Sequence, residues 1–332
     1  TKAPSKWSTE VARNATAGST GGHTYAFRLG YLLLCFNALG WGLNFPILKL
    51  GMANSTPLLF TCMRMALGTL AMFIIAAVLG VLRLPRRADV PVLLSVGIMQ
   101  NMAFITLVTL GVQYLPAGRA AILAYTTPIW VVPAAALFLG ERFTLPRAIG
   151  VGLGLAGLLT VFNPLSIDWS DHDVFIGGGL IMLGTILWTA GLVHVRRHHW
   201  HGDVLSLIPW QLLTSVLALL PLALLLESPN QIDWEPSFVW MLVFSGAIAS
   251  GICVAAQVAA IRSLPAVSLS LSSASVPAVG MLSDAWFLGE VPTPSDLAGF
   301  ALIALGILVV GLADRRQALR NRTTAAGGAP VG

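Results

Sequence analysis

Charged side chains are scarce in this sequence: lysine, arginine, aspartate and glutamate together make up only 10% of its 332 residues. Soluble globular domains carry about 25% charged residues. Hydrophobic residues reach 56%, which is more apolar surface than a water-soluble fold hides. The shortage of charge therefore excludes a soluble protein and predicts that most of the chain lies in lipid.

Cysteines and basic patches are also in short supply. The cysteines Cys35, Cys62 and Cys253 are odd in number and lie within apolar runs, so no disulfide framework is expected. The net charge of +5 comes from short arginine clusters between apolar runs. Because no basic stripe carries interleaved aromatic residues, nucleic-acid binding is not expected.

The sequence instead contains a series of apolar runs, each long enough to cross a bilayer at about 20 residues per helix. The runs are continuous rather than alternating, which excludes a β-barrel. The chain is therefore predicted to be an all-α integral membrane protein with ten transmembrane helices. The predicted spans are residues 29–49, 57–80, 91–113, 117–138, 146–163, 175–195, 204–226, 238–260, 266–288 and 295–313.

One block of the sequence occurs twice. Residues 115–157 return as residues 264–306 at a constant offset of 149, without a gap. The repeat divides the apolar region into a first five-helix unit, residues 29–163, and a second, residues 175–313. Because five spans is an odd number, two copies in series must point in opposite directions across the bilayer. This is the inverted repeat of many secondary transporters.

Positively charged residues mark one side of the predicted bundle, which the positive-inside rule makes cytoplasmic. Residues 1–28 are polar, lack the apolar core of a signal peptide and are predicted to form a disordered cytoplasmic tail. Residues 314–332 form a second cytoplasmic tail. The arginines on this side are Arg13, Arg28, Arg83, Arg86, Arg87, Arg142, Arg147, Arg196, Arg197, Arg262, Arg315, Arg316, Arg320 and Arg322. The opposite loops hold Asp168, Asp171, Asp173, Glu227, Asp233, Glu235, Glu290 and Asp296.

Two stretches resemble a known family: residues 40–49, which read Gly-Trp-Gly-Leu-Asn-Phe-Pro-Ile-Leu-Lys, and the block 115–157 with its Phe-Leu-Gly-Glu motif. They resemble the EamA-type members of the drug/metabolite transporter superfamily, and the chain looks most similar to bacterial amino-acid exporters, including those for aromatic amino acids. The resemblance implies ten spans, a central cavity between the repeats and alternating access. It also implies export of small organic metabolites across the bacterial inner (plasma) membrane, without a cofactor.

Polar and aromatic side chains in the middle of spans are the candidates for substrate contact. Amides and hydroxyls suit zwitterionic groups, and aromatic rings suit a flat or apolar side chain. The alternatives are helix–helix hydrogen bonds, worth ~0.6 kcal/mol each on average in one membrane protein, and aromatic anchors at the membrane interface. The candidates are Trp41, Asn44, Gln100, Asn101, Tyr125, Trp188, Gln257 and Ser273.

Three prolines inside spans are candidate hinges: Pro46, Pro128 and Pro277. Each removes the hydrogen bond to the carbonyl group four residues earlier. The freed carbonyls belong to Gly42, Ala124 and Ser273. In lipid such a carbonyl needs another partner, so these positions should face protein or water. A tolerated kink is the alternative to a functional hinge.

Two charges fall well inside predicted spans, Arg64 and Asp284. Arg64 is a candidate to attract a carboxylate and Asp284 to carry a coupling proton; snorkelling or a mutual ion pair are the alternatives. Glu141 and Glu290 end the two Phe-Leu-Gly-Glu motifs and are candidate gate residues, unless they are simply exposed helix-end carboxylates. Because a helix C-terminus disfavours negative charge, a cationic partner is expected, and Arg142 is a candidate for Glu141.

These features predict a secondary transporter, not an enzyme, that exports small amphipathic metabolites, above all amino acids including aromatic ones. Its expected partners are the substrate and the bilayer, without metal. Proton coupling or facilitated exchange, and monomer or homodimer, remain open. One alternative is a transporter of anionic metabolites or nucleotide-linked sugars that uses Arg64. Another is a membrane enzyme with a metal site at His194, His198, His199 and His201.

Overall fold

The computed structural model describes the backbone of residues 20–141, 143–162, 172–198, 204–264 and 266–327. Side chains are described for residues 28–141, 143–161, 172–198, 204–261, 264 and 274–316. Within these ranges the chain forms ten long helical segments, named α1 to α10. They are α1 Thr20–Gly51, α2 Pro57–Val78, α3 Arg87–Val112, α4 Ala117–Leu139, α5 Leu145–Phe162, α6 His172–Arg197, α7 Val204–Leu226, α8 Pro236–Ile261, α9 Ala266–Phe287 and α10 Pro294–Gly327.

The helices have the length and composition of membrane spans. Among the described residues, eight are long and apolar enough to cross a bilayer, and α5 adds a shorter apolar helix, Leu145–Val161. Large apolar side chains on the outside of the bundle are strongly exposed, as expected for a surface that contacts lipid. They include Val78, Leu137, Leu225 and Trp286. The all-α membrane class is confirmed, whereas ten crossings and cytoplasmic termini stay predictions.

The two Phe-Leu-Gly-Glu motifs end helices α4 and α9. Gly140 and Gly289 adopt left-handed backbone conformations with φ of 67° and 69°. Only glycine takes this conformation without strain, and it commonly terminates a helix. In the first motif the Glu141 backbone N–H then donates to the Ala135 carbonyl oxygen at 3.3 Å. Each glycine therefore turns the following glutamate out of its helix.

The first part of α4, Ala117–Ala124, lies at the centre of the bundle. Its apolar side chains are fully buried and pack with side chains of α1, α3, α5, α6, α9 and α10. The sequence Ala-Gly-Arg-Ala-Ala-Ile-Leu-Ala is dominated by small residues, which permit neighbouring helices to approach closely. The block that repeats in the sequence thus supplies the most enclosed helix of the first half.

Glycines join the two halves where α5 meets α10. A Cβ atom on Gly157 would lie 2.6 Å from the Gly299 carbonyl oxygen, and one on Gly299 would lie 2.7 Å from the Gly157 carbonyl oxygen. Gly150 and Gly306 make a similar approach, and each lies seven residues along its helix from the first pair. The glycine-rich sequences of these two helices therefore serve close packing between the halves.

Helices α3 and α8 each contain a nine-residue π-helix, Val96–Phe104 and Phe244–Ile252. They occupy equivalent places in the two halves, since Gly97 and Gly246 differ by the repeat offset. Gly97 packs against α7, and Gly246 packs against the backbone of Arg64 in α2. Each π-helix therefore contacts the opposite half of the protein. Such segments are rare and often occur at functional sites.

The prolines affect their helices differently. Helix α4 is interrupted at Tyr125 and Thr126, and its second part begins with Thr127 and Pro128. The carbonyl oxygen of Ala124, predicted to be freed, accepts a hydrogen bond from the Thr127 hydroxyl at 3.3 Å. Helices α1 and α9 continue without interruption through their prolines. The two aligned prolines in α4 and α9 thus stand in different backbone environments, and a hinge role for any of the three stays a prediction.

Candidate functional site

The π-helix of α8 brings side chains of α1 and α2 together. The Arg64 guanidinium of α2 donates from Nη1 to the Ser245 hydroxyl oxygen at 3.0 Å. The Trp41 ring of α1 donates from Nε1 to the Ala249 carbonyl oxygen at 2.9 Å. Ser245 and Ala249 both belong to the π-helix, so the first half contributes an aromatic ring and a buried cation to one stretch of the second half.

Two polar atoms in this region have no hydrogen-bond partner. They are Oδ1 of Asn44, a residue 9% exposed, and Nε of Arg64, a residue 4% exposed. Asn44 lies seven residues before the end of α1, and Arg64 lies seven residues after the start of α2. By helix rise, both are about 10 Å from the turn that joins these helices. An unsatisfied acceptor and an unsatisfied donor therefore lie at the same depth in the bundle.

Closer to the start of α1, a polar contact joins α1 to α8. A 2.7 Å hydrogen bond connects the side-chain amides of Asn37 and Gln257. A Cβ atom on Gly40 would lie only 2.4 Å from Sγ of Cys253, so the two helices approach closely here. Gln257, a predicted substrate contact, thus makes a helix–helix hydrogen bond.

An equivalent contact joins α3 and α6. Gln100 in the π-helix of α3 donates from Nε2 to the Trp188 carbonyl oxygen at 3.2 Å. The Trp188 ring packs on the Phe104 ring, with centroids 4.8 Å apart. Asn101, the next residue of the π-helix, is half-buried. Gln100 and Trp188, both predicted from the sequence, therefore lie together between the halves.

The interruption in α4 places the aromatic ring of Tyr125 near α1. The rings of Tyr125 and Phe45 have centroids 6.5 Å apart, with a 60° angle between their planes. Trp130 donates from Nε1 to the Thr126 hydroxyl at 3.3 Å. Tyr125 thus lies at the break, between the central part of α4 and the part that leads to Glu141.

One end of the bundle, which we call the Glu141 end, is predicted to be cytoplasmic. Glu141 is bound by two arginines, at 3.2 Å to Arg147 of α5 and at 3.2 Å to Arg196 of α6. Arg147 also binds Asp314 of α10 at 2.7 Å. The predicted partner Arg142 lies outside the described residues. Glu141 therefore links the first half to the second through Arg196.

A cavity of about 260 Å³ opens among these charged side chains. It extends from the ion pairs to Pro128 at the interruption in α4. This volume suits a small metabolite, since pockets for drug-sized ligands span roughly 300–1,000 Å³. Its lining residues are Thr127, Pro128, Val131, Val132, Ala135, Glu141, Arg147, Leu192, Arg196, Ile307, Val310, Gly311 and Asp314. The predicted hinge Pro128 and gate residue Glu141 thus line one cavity.

The opposite end, which we call the Glu290 end, is held by a different set of contacts. Lys49 at the end of α1 binds Glu290 at 2.6 Å. Asp284 of α9 accepts a hydrogen bond from the Gly118 backbone N–H at 2.8 Å, at the start of α4. These contacts join both halves at this end. Beside them, Arg119 of α4 binds Asp296 of α10 at 2.9 Å.

The predicted site residues are therefore distributed over several places. Trp41 and Arg64 contact the π-helix of α8, and Asn44 is buried in α1 three residues after Trp41. Asp284 and Glu290 lie together at one end. In the part of the chain that the structure describes, Arg64 and Asp284 are not ion-paired with each other. The side chain of Ser273 lies outside the described residues. The substrate, hinge and coupling roles of all these residues stay predictions.

Several residues of these sites were not singled out from the sequence. Lys49 is the last residue of the motif at residues 40–49, and Asn37 lies in the same span. Their partners lie 241 and 220 residues away along the chain. The sequence holds one signal for Lys49: it lies at the end of span one, on the side where Glu290 is expected to need a cation.

The predicted histidine cluster is only partly described. The His198 ring nitrogen Nε2 lies 2.9 Å from Oδ1 of Asp89, a fully buried carboxylate at the start of α3. His194 is exposed on α6. His199 and His201 lie outside the described residues. Among the side chains that the structure includes, no three histidine, cysteine, aspartate or glutamate residues are grouped as a metal site would require.

The fold and these contacts define a multi-pass helical membrane protein made of two related halves that meet at both ends of the bundle. The model of the EamA-like transporter family matches residues 28–163 and again residues 175–312. The chain therefore belongs to this family, within the drug/metabolite transporter superfamily, and the resemblance stated from the sequence is confirmed.

Individual relatives are similar along most of their length. The chain is 27% identical over 286 residues to the "Uncharacterized transporter YvbV" of Bacillus subtilis, covering 86% of this chain and 92% of the relative. It is 26% identical over 292 residues to a "Probable amino-acid metabolite efflux pump" of Salmonella typhimurium, covering 84% and 94%. It is 26% identical over 300 residues to a "Probable terminal-alkyne amino-acid exporter" of Streptantibioticus cattleyicolor, covering 86% and 95%.

Proposed function

We propose that this protein exports small zwitterionic metabolites, above all amino acids with aromatic or large apolar side chains. Transport proceeds by alternating access, in which the ends marked by Glu141 and Glu290 open in turn. Two relatives are named for amino-acid efflux or export, which supports this substrate class. The named relatives do not specify aromatic side chains, and that preference rests on the rings near the site.

The observation that carries the proposal is the pair of unsatisfied polar atoms on α1 and α2. Oδ1 of Asn44 accepts hydrogen bonds, and an α-ammonium group donates them. Nε of Arg64 donates, and an α-carboxylate accepts. A buried polar atom without a partner costs free energy, so a bound zwitterion would relieve both costs. The Trp41 ring, which is held on α8, offers an apolar wall for the side chain of the substrate.

The test is counterflow in liposomes, with labelled amino acid outside and unlabelled amino acid inside. The panel contains phenylalanine, leucine, phenylalanine amide and 3-phenylpropionate, so that the carboxylate and the ammonium group are removed separately. We expect saturable exchange of phenylalanine. Replacing both Asn44 and Trp41 by alanine should abolish it, because the acceptor and the apolar wall are lost together.

Single variants test which side chain binds the substrate carboxylate and which binds the ammonium group. Arg64→Gln should lower the preference for phenylalanine over its amide by about tenfold to a hundredfold, the value of one hydrogen bond to a charged group. Asn44→Ala should instead lower the preference for phenylalanine over 3-phenylpropionate. Thr160→Ala is the control, because this exposed hydroxyl bonds only within α5. Exchange with unchanged discrimination in both variants would contradict the proposed roles.

One observation favours a second candidate function, the transport of anionic metabolites. Among the described side chains, Arg64 has no carboxylate within ion-pair distance, so its charge is left for a ligand. If dicarboxylates or nucleotide-linked sugars exchange and no amino acid does, and if Arg64→Gln abolishes that exchange, this second function replaces the first.

A further inference from the structure

Two carboxyl groups face each other at the Glu290 end. Asp284 is 1% exposed, and its carboxyl group lies within hydrogen-bonding reach of the Glu290 carboxyl group. Oδ1 of Asp284 and Oε2 of Glu290 are both buried, and neither has a hydrogen-bond donor. Two ionised carboxylates repel each other at this distance and offer only acceptors. The arrangement is therefore incomplete unless a donor lies between them.

The remaining oxygens of both groups are already bound. Oδ2 of Asp284 accepts from the Gly118 backbone N–H at 2.8 Å. Oε1 of Glu290 accepts from the Lys49 ammonium group at 2.6 Å, and the same group donates to the Leu115 carbonyl oxygen at 3.2 Å. These contacts hold the two carboxyl groups and leave Oδ1 of Asp284 and Oε2 of Glu290 without a donor.

The surrounding charges do not supply that donor. Lys49 of α1 is the cation nearest to the pair. On α4 and α10, Arg119 and Asp296 bind each other at 2.9 Å and compensate one another. Two carboxyl groups thus share a single ammonium group among the described side chains of the elements that pack against Asp284. One proton bound between the carboxyl groups makes the cluster electrically neutral and provides the missing hydrogen bond.

We propose that Asp284 and Glu290 form a binding site for one shared proton, and that this proton holds the Glu290 end of the transporter closed. The cluster joins α1 and the start of α4, from the first half, to α9 and the segment after it, from the second. Loss of the proton leaves two negative charges against one positive charge, so repulsion separates the halves. Uptake takes the proton from water at this end and release returns it to water, with only an O–H bond made or broken.

This proposal links opening of one end to proton concentration, which the substrate proposal does not. If the Glu290 end faces outward as predicted, acid outside closes it after the solute has left. At the Glu141 end the position aligned with Asp284 is Ala135, which carries no carboxyl group.

The first experiment needs no substrate. Infrared difference spectra of the purified full-length protein are recorded during a pH titration, and the carbonyl band of a protonated carboxylic acid is followed. We expect one such band to disappear as the pH rises in the parent protein. The band should be absent in Asp284→Asn and in Glu290→Gln, but present in the exposed control Glu235→Gln. An unchanged band in Asp284→Asn would overturn the proposed site.

The second experiment measures exchange while the pH on each side of the vesicle is set separately. Acid on the side of the Glu290 end should slow exchange, by up to about tenfold per pH unit, the limit for one linked proton. Asp284→Asn supplies a permanent N–H donor to Glu290 and should remove this dependence, with slow exchange at every pH. Exchange that is equally fast at all pH values on that side would overturn the gating role while leaving the substrate proposal intact.

Discussion

The two ends of the bundle carry matching glutamates in different charge environments. Glu290 follows α9 and binds one cation, Lys49 at the end of α1. Glu141 follows α4 and binds two, Arg147 and Arg196, the second of them near the end of α6. Helices α1 and α6 hold the same place in the two halves. The two halves therefore share an ion pair between a motif glutamate and this helix, and differ in the balance of charge around it.

The neighbouring residues enlarge this difference. At the Glu290 end a second carboxylate, Asp284, contacts the pair, whereas its aligned position at the other end is Ala135. The second carboxylate of the Glu141 end, Asp314, has its own contact with Arg147. Among the described side chains, the carboxylates at the Glu141 end are therefore matched by arginines, while those at the Glu290 end outnumber their lysine. The comparison teaches that two ends of similar geometry need not respond alike to pH or to mutation.

The largest effect is expected from Lys49→Gln. This change removes the nearest cation from two carboxyl groups and should lower the free energy of unfolding by about 2 kcal/mol. The value lies below the 3–5 kcal/mol of a fully buried pair because Lys49 and Glu290 keep 27% and 31% of their side-chain surface exposed. Thermal unfolding in detergent measures it. The double variant with Glu290→Gln should be less destabilised than Lys49→Gln alone. Equal destabilisation of both would contradict the proposed excess of negative charge at the Glu290 end.

A smaller effect is expected from Arg147→Gln at the Glu141 end. Arg147 binds both Glu141 and Asp314, so the variant loses a contact to α10, but Glu141 keeps Arg196 as a partner. We expect a loss of about 1 kcal/mol, between the values for exposed and buried ion pairs. The same unfolding assay applies, with Thr160→Ala as the control. A loss larger than that of Lys49→Gln would reverse the proposed order of the two ends.

The smallest effect is expected from Arg196→Gln. Its side chain is 43% exposed and Glu141 retains Arg147, so the free energy of unfolding should fall by about 0.5 kcal/mol or less. High salt should remove most of the difference, since exposed pairs are screened. Exchange across vesicles serves as a second readout. If Arg196→Gln destabilised the protein as much as Lys49→Gln, compensation by a second arginine would be the wrong explanation.

Local features of the fold followed well from the sequence. The motif glycines Gly140 and Gly289 end their helices, and the buried charges Arg64 and Asp284 lie in the bundle as expected. These outcomes depend on backbone conformation and on hydrophobicity, which short stretches of sequence encode. The interruption in α4 lies beside Pro128, as expected for a residue that removes a helix hydrogen bond. Helices α1 and α9 continue through Pro46 and Pro277, so proline alone does not determine where a helix is interrupted.

The interaction partners of these residues were harder to predict from the sequence. The sequence indicated Arg142 as a partner of Glu141, and this residue lies outside the described part of the chain. The ion pairs of Glu141 with Arg147 and Arg196 did not follow from the sequence. The two π-helices were not anticipated, since their sequences have no distinctive residue pattern. Both pack against helices of the opposite half, and periodicity within one span does not reveal such contacts.

Composition, run length and an ungapped repeat are properties of the linear chain, so they identify a helical membrane protein of the EamA-like family with a duplicated unit without any knowledge of its fold. Which charges meet depends on the folded structure. Lys49 and Glu290 are separated by 241 residues, and Asp284 and the Gly118 backbone N–H by 166. Such contacts depend on the rotation and depth of each helix in the bundle, which packing against several neighbours sets at once.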